Sequence, residues 1–182
     1  TDASAKDDFI ITTVINAAKA KGTVVNFFLY GSCSPVDPAY VQLAAATNGQ
    51  VFVISTAETP AIFRLVRVSV GAQPATLLSS RGTLTSGSRE LIIPVDSTAT
   101  NVTFSVSIET LTSVRLLRPS GAQITSTDPG VAIASLSTGQ IITVTTPEAG
   151  QWRLQLSGSG AFSVSVLAKS PLQLDDFHFV TS

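Results

Sequence analysis

The spacing of apolar residues changes character once along this chain, near Pro74, and that change constrains the fold more than any other feature. Before Pro74, segments with apolar residues three and four apart alternate with short continuous apolar runs, the periods of an amphipathic helix and of a strand covered on both faces. After it the helical period is lost. Short runs rich in Val, Ile, Ser and Thr follow one another, separated by turn residues. The pattern predicts an α/β segment over residues 1–73 and an antiparallel β-sandwich over residues 74–182.

The first part reads as helix, strand, helix, strand, helix. Ser4 with Asp7 three residues on is placed to cap a first helix, and Asp7 and Asp8 suit its positive end. Ile11, Val14, Ile15 and Ala18 fall on one face, and Lys19, Lys21 and Gly22 mark the stop. Val24 to Tyr30 is a nearly unbroken apolar run, which implies a parallel strand. Asp37-Pro38 opens a second helix striped by Val41, Ala44 and Ala45 and ended by Asn48-Gly49, and Val51 to Ile54 makes a second buried strand. Thr59-Pro60 opens a third helix through Ile62, Phe63, Val66 and Val70, broken by Gly71 and Pro74. This alternation is half of a doubly wound, Rossmann-like fold.

The second part carries β-prone runs at Leu91 to Val95, Val102 to Ile108, Val114 to Leu117, Val131 to Leu136, Ile141 to Val144, Trp152 to Leu156 and Phe162 to Leu167. Pro119-Ser120-Gly121, Asp128-Pro129-Gly130, Glu148-Ala149-Gly150 and Gly158-Ser159-Gly160 read as the turns between them. Trp152, Leu154 and Leu156, and again Phe162, Val164 and Val166, alternate as one buried face should. The Ser and Thr residues between them are expected on solvent-facing sides.

Charged residues make up only 13% of the 182, with a net charge of −1, so neither a nucleic-acid footprint nor a polybasic membrane patch is present. No apolar run approaches the roughly 18 residues that span a bilayer. The single cysteine, Cys33, has no partner for a disulfide within the chain, and with His178 as the one histidine the ligands for a zinc site are missing. Cys33 and His178 fall in different predicted parts, which argues against a thiol nucleophile and its base. Gly-x-Ser-x-Gly and phosphate-loop patterns are absent, and no enzymatic activity is expected. Asp175-Asp176 is weighed as a calcium pair against two solvated carboxylates. Trp152 is weighed as a sugar-stacking surface against a core residue, and its alternation favours the core. Asn101-Val102-Thr103 is a glycosylation sequon, with Asn101 modified if the chain is secreted.

The opening residues, Thr1-Asp2-Ala3-Ser4-Ala5-Lys6-Asp7, read as the middle of a domain, and the chain contains no methionine. With Gly31-Ser32-Cys33 and Gly49-Gln50-Val51-Phe52 they resemble the C-terminal half of a von Willebrand factor A domain. Val102-Thr103-Phe104-Ser105-Val106 and Pro147-Glu148-Ala149-Gly150-Gln151-Trp152 resemble the galactose-binding-like β-sandwich that follows such a domain in the hemicentin group of extracellular proteins. The resemblance implies a three-loop site for Mg2+ or Ca2+, with Asp2 as the acidic ligand of its third loop. The Asp-x-Ser-x-Ser turn that such a site also needs is absent from these residues.

Half an A domain would leave strand edges and apolar faces to be covered. A companion chain, an upstream part of the same polypeptide or a second copy pairing edge to edge could supply the cover. The function implied is non-catalytic adhesion or ligand binding outside the cell, to a protein or glycan, through a cation in the completed A domain. The rival is a lectin that works through the sandwich, and a purely structural role is the third reading.

Overall fold

The computed structural model describes residues 5–30, 36–60, 62–63 and 75–170. Asp2, Cys33, Asp175, Asp176, His178 and most of the third predicted helix lie outside them.

A short 3-10 turn, Asp8–Ile10, leads into helix α1, Ile11–Ala20. Asp7 occupies the cap position of that turn, but its side chain accepts no capping hydrogen bond. Gly22 stops the helix at φ 61°, a conformation that favours glycine. Helix α2, Pro38–Ala46, begins as its sequence predicts. Pro38 sits in the first turn and Asp37 Oδ1 accepts from the Ala39 amide at 2.9 Å. Strands β1, Phe27–Tyr30, and β2, Val51–Ile54, pair in parallel with Phe27 opposite Val51.

β1 starts at Phe27 rather than at Val24 because side chains take the place of a ladder before it. The Val25 amide donates to Thr47 Oγ1 at 3.1 Å, and Asn26 Oδ1 accepts from the Gln50 amide at 2.9 Å. Among the described residues the parallel sheet has these two strands and extends no further toward a doubly wound architecture.

The larger part is antiparallel. Strands β3 (Ala75–Leu84), β4 (Ser88–Val95), β5 (Asn101–Leu117), β6 (Val131–Leu136), β7 (Gly139–Thr145) and β8 (Gly150–Lys169) form one hydrogen-bonded sheet in the order β3-β8-β5-β7-β6, with β4 also on β8. Two features depart from the sequence expectation. β3 carries no clean alternation through Ser79-Ser80-Arg81-Gly82 and is a strand by pairing, with Arg81 opposite Ser163. β5 and β8 each join two predicted strands.

The Gly158-Ser159-Gly160 segment, expected as a turn, remains inside β8 as an irregular stretch. Gly160 takes φ 92°, and β5 shifts register opposite at Ile108/Thr110 and Leu111/Ser113. A side chain at Gly158 would put Cβ 2.2 Å from the Thr110 carbonyl oxygen, so the strands approach there as only glycine permits. Because both long strands bend without breaking, Trp152, Leu154 and Leu156 from one half of β8 share a single core with Phe162, Val164 and Val166 from the other. One sheet thereby supplies both walls of a sandwich-like core.

Trp152 is fully buried, with Nε1 donating to the Glu148 carbonyl at 2.9 Å and the ring 5.7 Å from that of Phe104. The core reading of this residue holds, and stacking on a sugar would require it to leave the interior.

Candidate functional site

The Ser/Thr face of the sheet is not left to solvent throughout, contrary to the sequence expectation. Thr103, Ser105 and Ser107 on β5 are buried. Over Ser105 and Ser107 the cover is the α/β segment, docked through residues at the start of β2.

Gln50 lies at the centre of this junction and is 2% exposed. Its Nε2 donates to the Ser105 and Ser163 carbonyls, each at 3.0 Å, and Ser105 Oγ donates to its Oε1. A buried amide so completely paired costs little desolvation and fixes register across strands remote in sequence. Beside it Phe52 is fully buried in a second, smaller apolar cluster with Ile54, Leu136 and Ile141, and it stacks on Phe28 at 5.7 Å.

The far edge of β2 is closed by one hydroxyl. Thr138 Oγ1 accepts from the Val53 amide at 2.9 Å and donates to the Val53 carbonyl at 3.2 Å, as a neighbouring strand would. Two glycines make the approach possible. A Cβ at Gly49 would lie 1.8 Å from the Val25 carbonyl oxygen, and one at Gly139 would lie 2.1 Å from that of Val106 and 2.9 Å from the Phe52 ring.

Glu58 adds a polar strut. Both of its carboxylate oxygens accept from Ser137 Oγ at 3.1 Å, and the Ser55 amide donates to Oε2. Burial by itself would raise the Glu58 carboxyl, but the Ser55 and Ser137 hydrogen bonds outweigh it and hold the group below its ordinary 4.5.

Next to Gln50 the junction opens into a cleft of about 570 Å3. One wall is apolar, from Val41 and Ala44 of α2 and Val51 and Val53 of β2. The other is the polar sheet face carrying Arg81, Ser107 and Ser163, with Glu109 at its side. Arg81 lies opposite Ser163 in the ladder, and Ser163 lies opposite Ser107, so the three project from one face of adjacent strands. The Arg81 Nε–H and the Ser163 hydroxyl are shielded from solvent and meet no hydrogen-bonding partner. Desolvation pushes the Arg81 guanidinium below its ordinary pKa. Neither Arg81 nor Ser163 is distinguishable in the sequence, since the pairing that brings them together is long-range.

Of the sequence-derived candidates, Asn101 does not line this cleft. Asn101 begins β5, half-buried, opposite Thr145 and Lys169. Asp2 lies outside the described residues. Among those residues no group of three or more His, Cys, Asp or Glu side chains comes together. Asp37 accepts from the Ala39 and Ala5 amides at 2.9 and 2.8 Å. No described helix is long and apolar enough to cross a membrane.

Hemicentin-1 of Mus musculus and of Homo sapiens are each 27% identical to this chain over 180 residues, which takes in 94% of it and 3% of those proteins. The chain thus spans a small fraction of the length of these curated relatives. A solved structure, the lipase BlEst2 of Bacillus licheniformis in its propeptide form, aligns with 94% of this chain and 38% of its own at 18% identity. Its TM-score of 0.37 is too low to carry an argument about fold or chemistry. Residues 75–171, from the first residue of β3 to just beyond β8, match the family profile described as hemicentin galactose-binding domain-like, and with more than half of its length in that match the chain belongs to this family.

Proposed function

We propose that the chain is a non-catalytic adhesion or ligand-binding unit of an extracellular protein, with a protein or glycan as its ligand. An extracellular location accords with its family and with relatives named hemicentin-1. The observation that carries the reading is the junction. Gln50, Phe52 and Thr138 fasten the α/β segment to the sheet through buried contacts, so the two parts present one continuous surface rather than two tethered modules. A binding surface held that way loses little entropy when a partner docks. The helical side is also under-covered: α1 buries none of its residues, and Phe9 is 81% exposed. Apolar surface of this kind suits contact with further polypeptide. A Mg2+ or Ca2+ ion held by Asp2 belongs to the same reading, with its other oxygen ligands supplied from outside the described residues.

Solid-phase binding of the chain, within its longer protein, to purified matrix proteins and to a glycan array tests this with Mg2+ and Ca2+ present or chelated. Saturable protein binding that is lost on chelation and in Asp2→Ala is the expected result. Sugar binding that survives both treatments would replace adhesion with the lectin reading, and no binding in either assay would leave a structural spacer.

A further inference from the structure

We propose that the outward face of β4, residues 151–157 of β8 and residues 113–117 of β5 docks an acidic stretch of polypeptide, its carboxylates on Arg115 and Arg153 and its apolar side chains on Ile92 and Leu117. The proposal rests on the reading of the chain as a ligand-binding unit and names the chemistry of one ligand.

Strand alternation defines the face. Ile93 on β4, Trp152, Leu154 and Leu156 on β8 and Leu116 on β5 belong to the core, so the residues between them point away from it. The register sets these outward residues in rows. Ile92 lies opposite Arg153, which lies opposite Leu117, and Glu90 lies opposite Gln155, which lies opposite Arg115. Arg115 and Arg153 are therefore diagonal neighbours on adjacent strands, a relation that spans about 7–8 Å in an antiparallel pair. Ile92 is 54% exposed, Glu90 and Arg115 are exposed, and Arg153 and Leu117 are half-buried.

Charge selects the partner. Among the described residues neither Arg115 nor Arg153 forms an ion pair, whereas Arg118 holds both Asp128 and Glu148. The acid that these strand segments present on the same face, Glu90, is engaged by Gln155, whose Nε2 donates to its Oε2 at 2.8 Å. Two neighbouring guanidiniums repel one another, and carboxylates from a partner relieve that repulsion while accepting the paired hydrogen bonds that arginine offers. The aliphatic residues beside them separate an acidic peptide from a sulfated glycan. A peptide carries apolar side chains that can cover Ile92 and Leu117, and a sulfated sugar chain carries none.

The test follows the fluorescence anisotropy of a labelled peptide of repeated Glu-Leu-Ser-Gly units, against a Gln-Leu-Ser-Gly counterpart, on the full chain with divalent cations chelated. The acidic peptide should bind about tenfold more tightly, as two exposed charge pairs allow, and the advantage should shrink as NaCl is raised. Arg115→Gln combined with Arg153→Gln should abolish the advantage, and Glu90→Gln should enlarge it. Should the double variant fail to fold, Arg115→Gln alone, at an exposed position, should still reduce it. Equal or absent binding of the two peptides, an advantage that persists without the arginines, or tighter binding of a heparin fragment of the same charge through the same arginines would overturn the proposal, the last by assigning the face to a sulfated glycan. Because divalent cations are chelated, the cation-dependent binding of the adhesive reading contributes nothing to this measurement, so either can fail while the other stands.

Discussion

Replacing Gln50 by Leu keeps the side chain's approximate volume and removes every hydrogen bond it makes. The Ser105 hydroxyl loses its acceptor, and two carbonyls lose the amide that bridges them. Stranding such groups in the interior costs about 1–3 kcal/mol, so the urea midpoint of Gln50→Leu should fall by that equivalent with an unchanged m-value. A drop in m as well would mean that the α/β segment had come away before the sheet unfolded. Gln50 stood in a sequence motif, Gly49-Gln50-Val51-Phe52, whose likeness to a family was legible while the task of its glutamine was not. The motif's partner residue, Ser105, lies 55 positions away, and nothing local to either residue announces the contact.

At the scale of elements, the strut between the turn that carries Glu58 and the β6–β7 connection gives the junction a pH dependence. Glu58 is held below its ordinary 4.5 in the folded state, so its contribution is complete above that value and disappears as pH falls through the lower folded value. Denaturation midpoints measured from neutral pH down to about pH 3 should therefore fall more steeply for the unaltered chain than for Glu58→Gln, because only the former gains a proton there on unfolding. Parallel curves would show that the carboxylate contributes nothing to docking. α2 and β2 are the elements best foreseen: Asp37-Pro38 is a local start signal, and Val51 to Ile54 is a short apolar run flanked by polar residues. β3 escaped because its sequence has no strand period of its own, and β8 read as two strands because Gly158 and Gly160 are as suited to a kink as to a turn.

For the whole molecule, burial is uneven in a way that hydrogen exchange can read. The centre of the sheet holds side chains with no exposed surface, such as Val102, Phe104, Val164 and Val166, whereas α1 buries none. Amides of α1 should exchange through local opening, while those of β5 and the second half of β8 should exchange only with global unfolding. Equal protection in both would mean that the helix is covered by a second copy or by further polypeptide. From the sequence alone came the parallel character of the first strands, the antiparallel character of the rest and the buried face that includes Trp152, because each rests on the period of neighbouring residues. The tertiary structure decided which polar residues are buried, that one bent sheet closes the core, and that Arg81, Ser163 and Gln50 line one cleft beside α2. Those outcomes depend on pairings between residues far apart in the chain, and a local pattern of hydrophobicity carries no information about which distant strand will lie opposite.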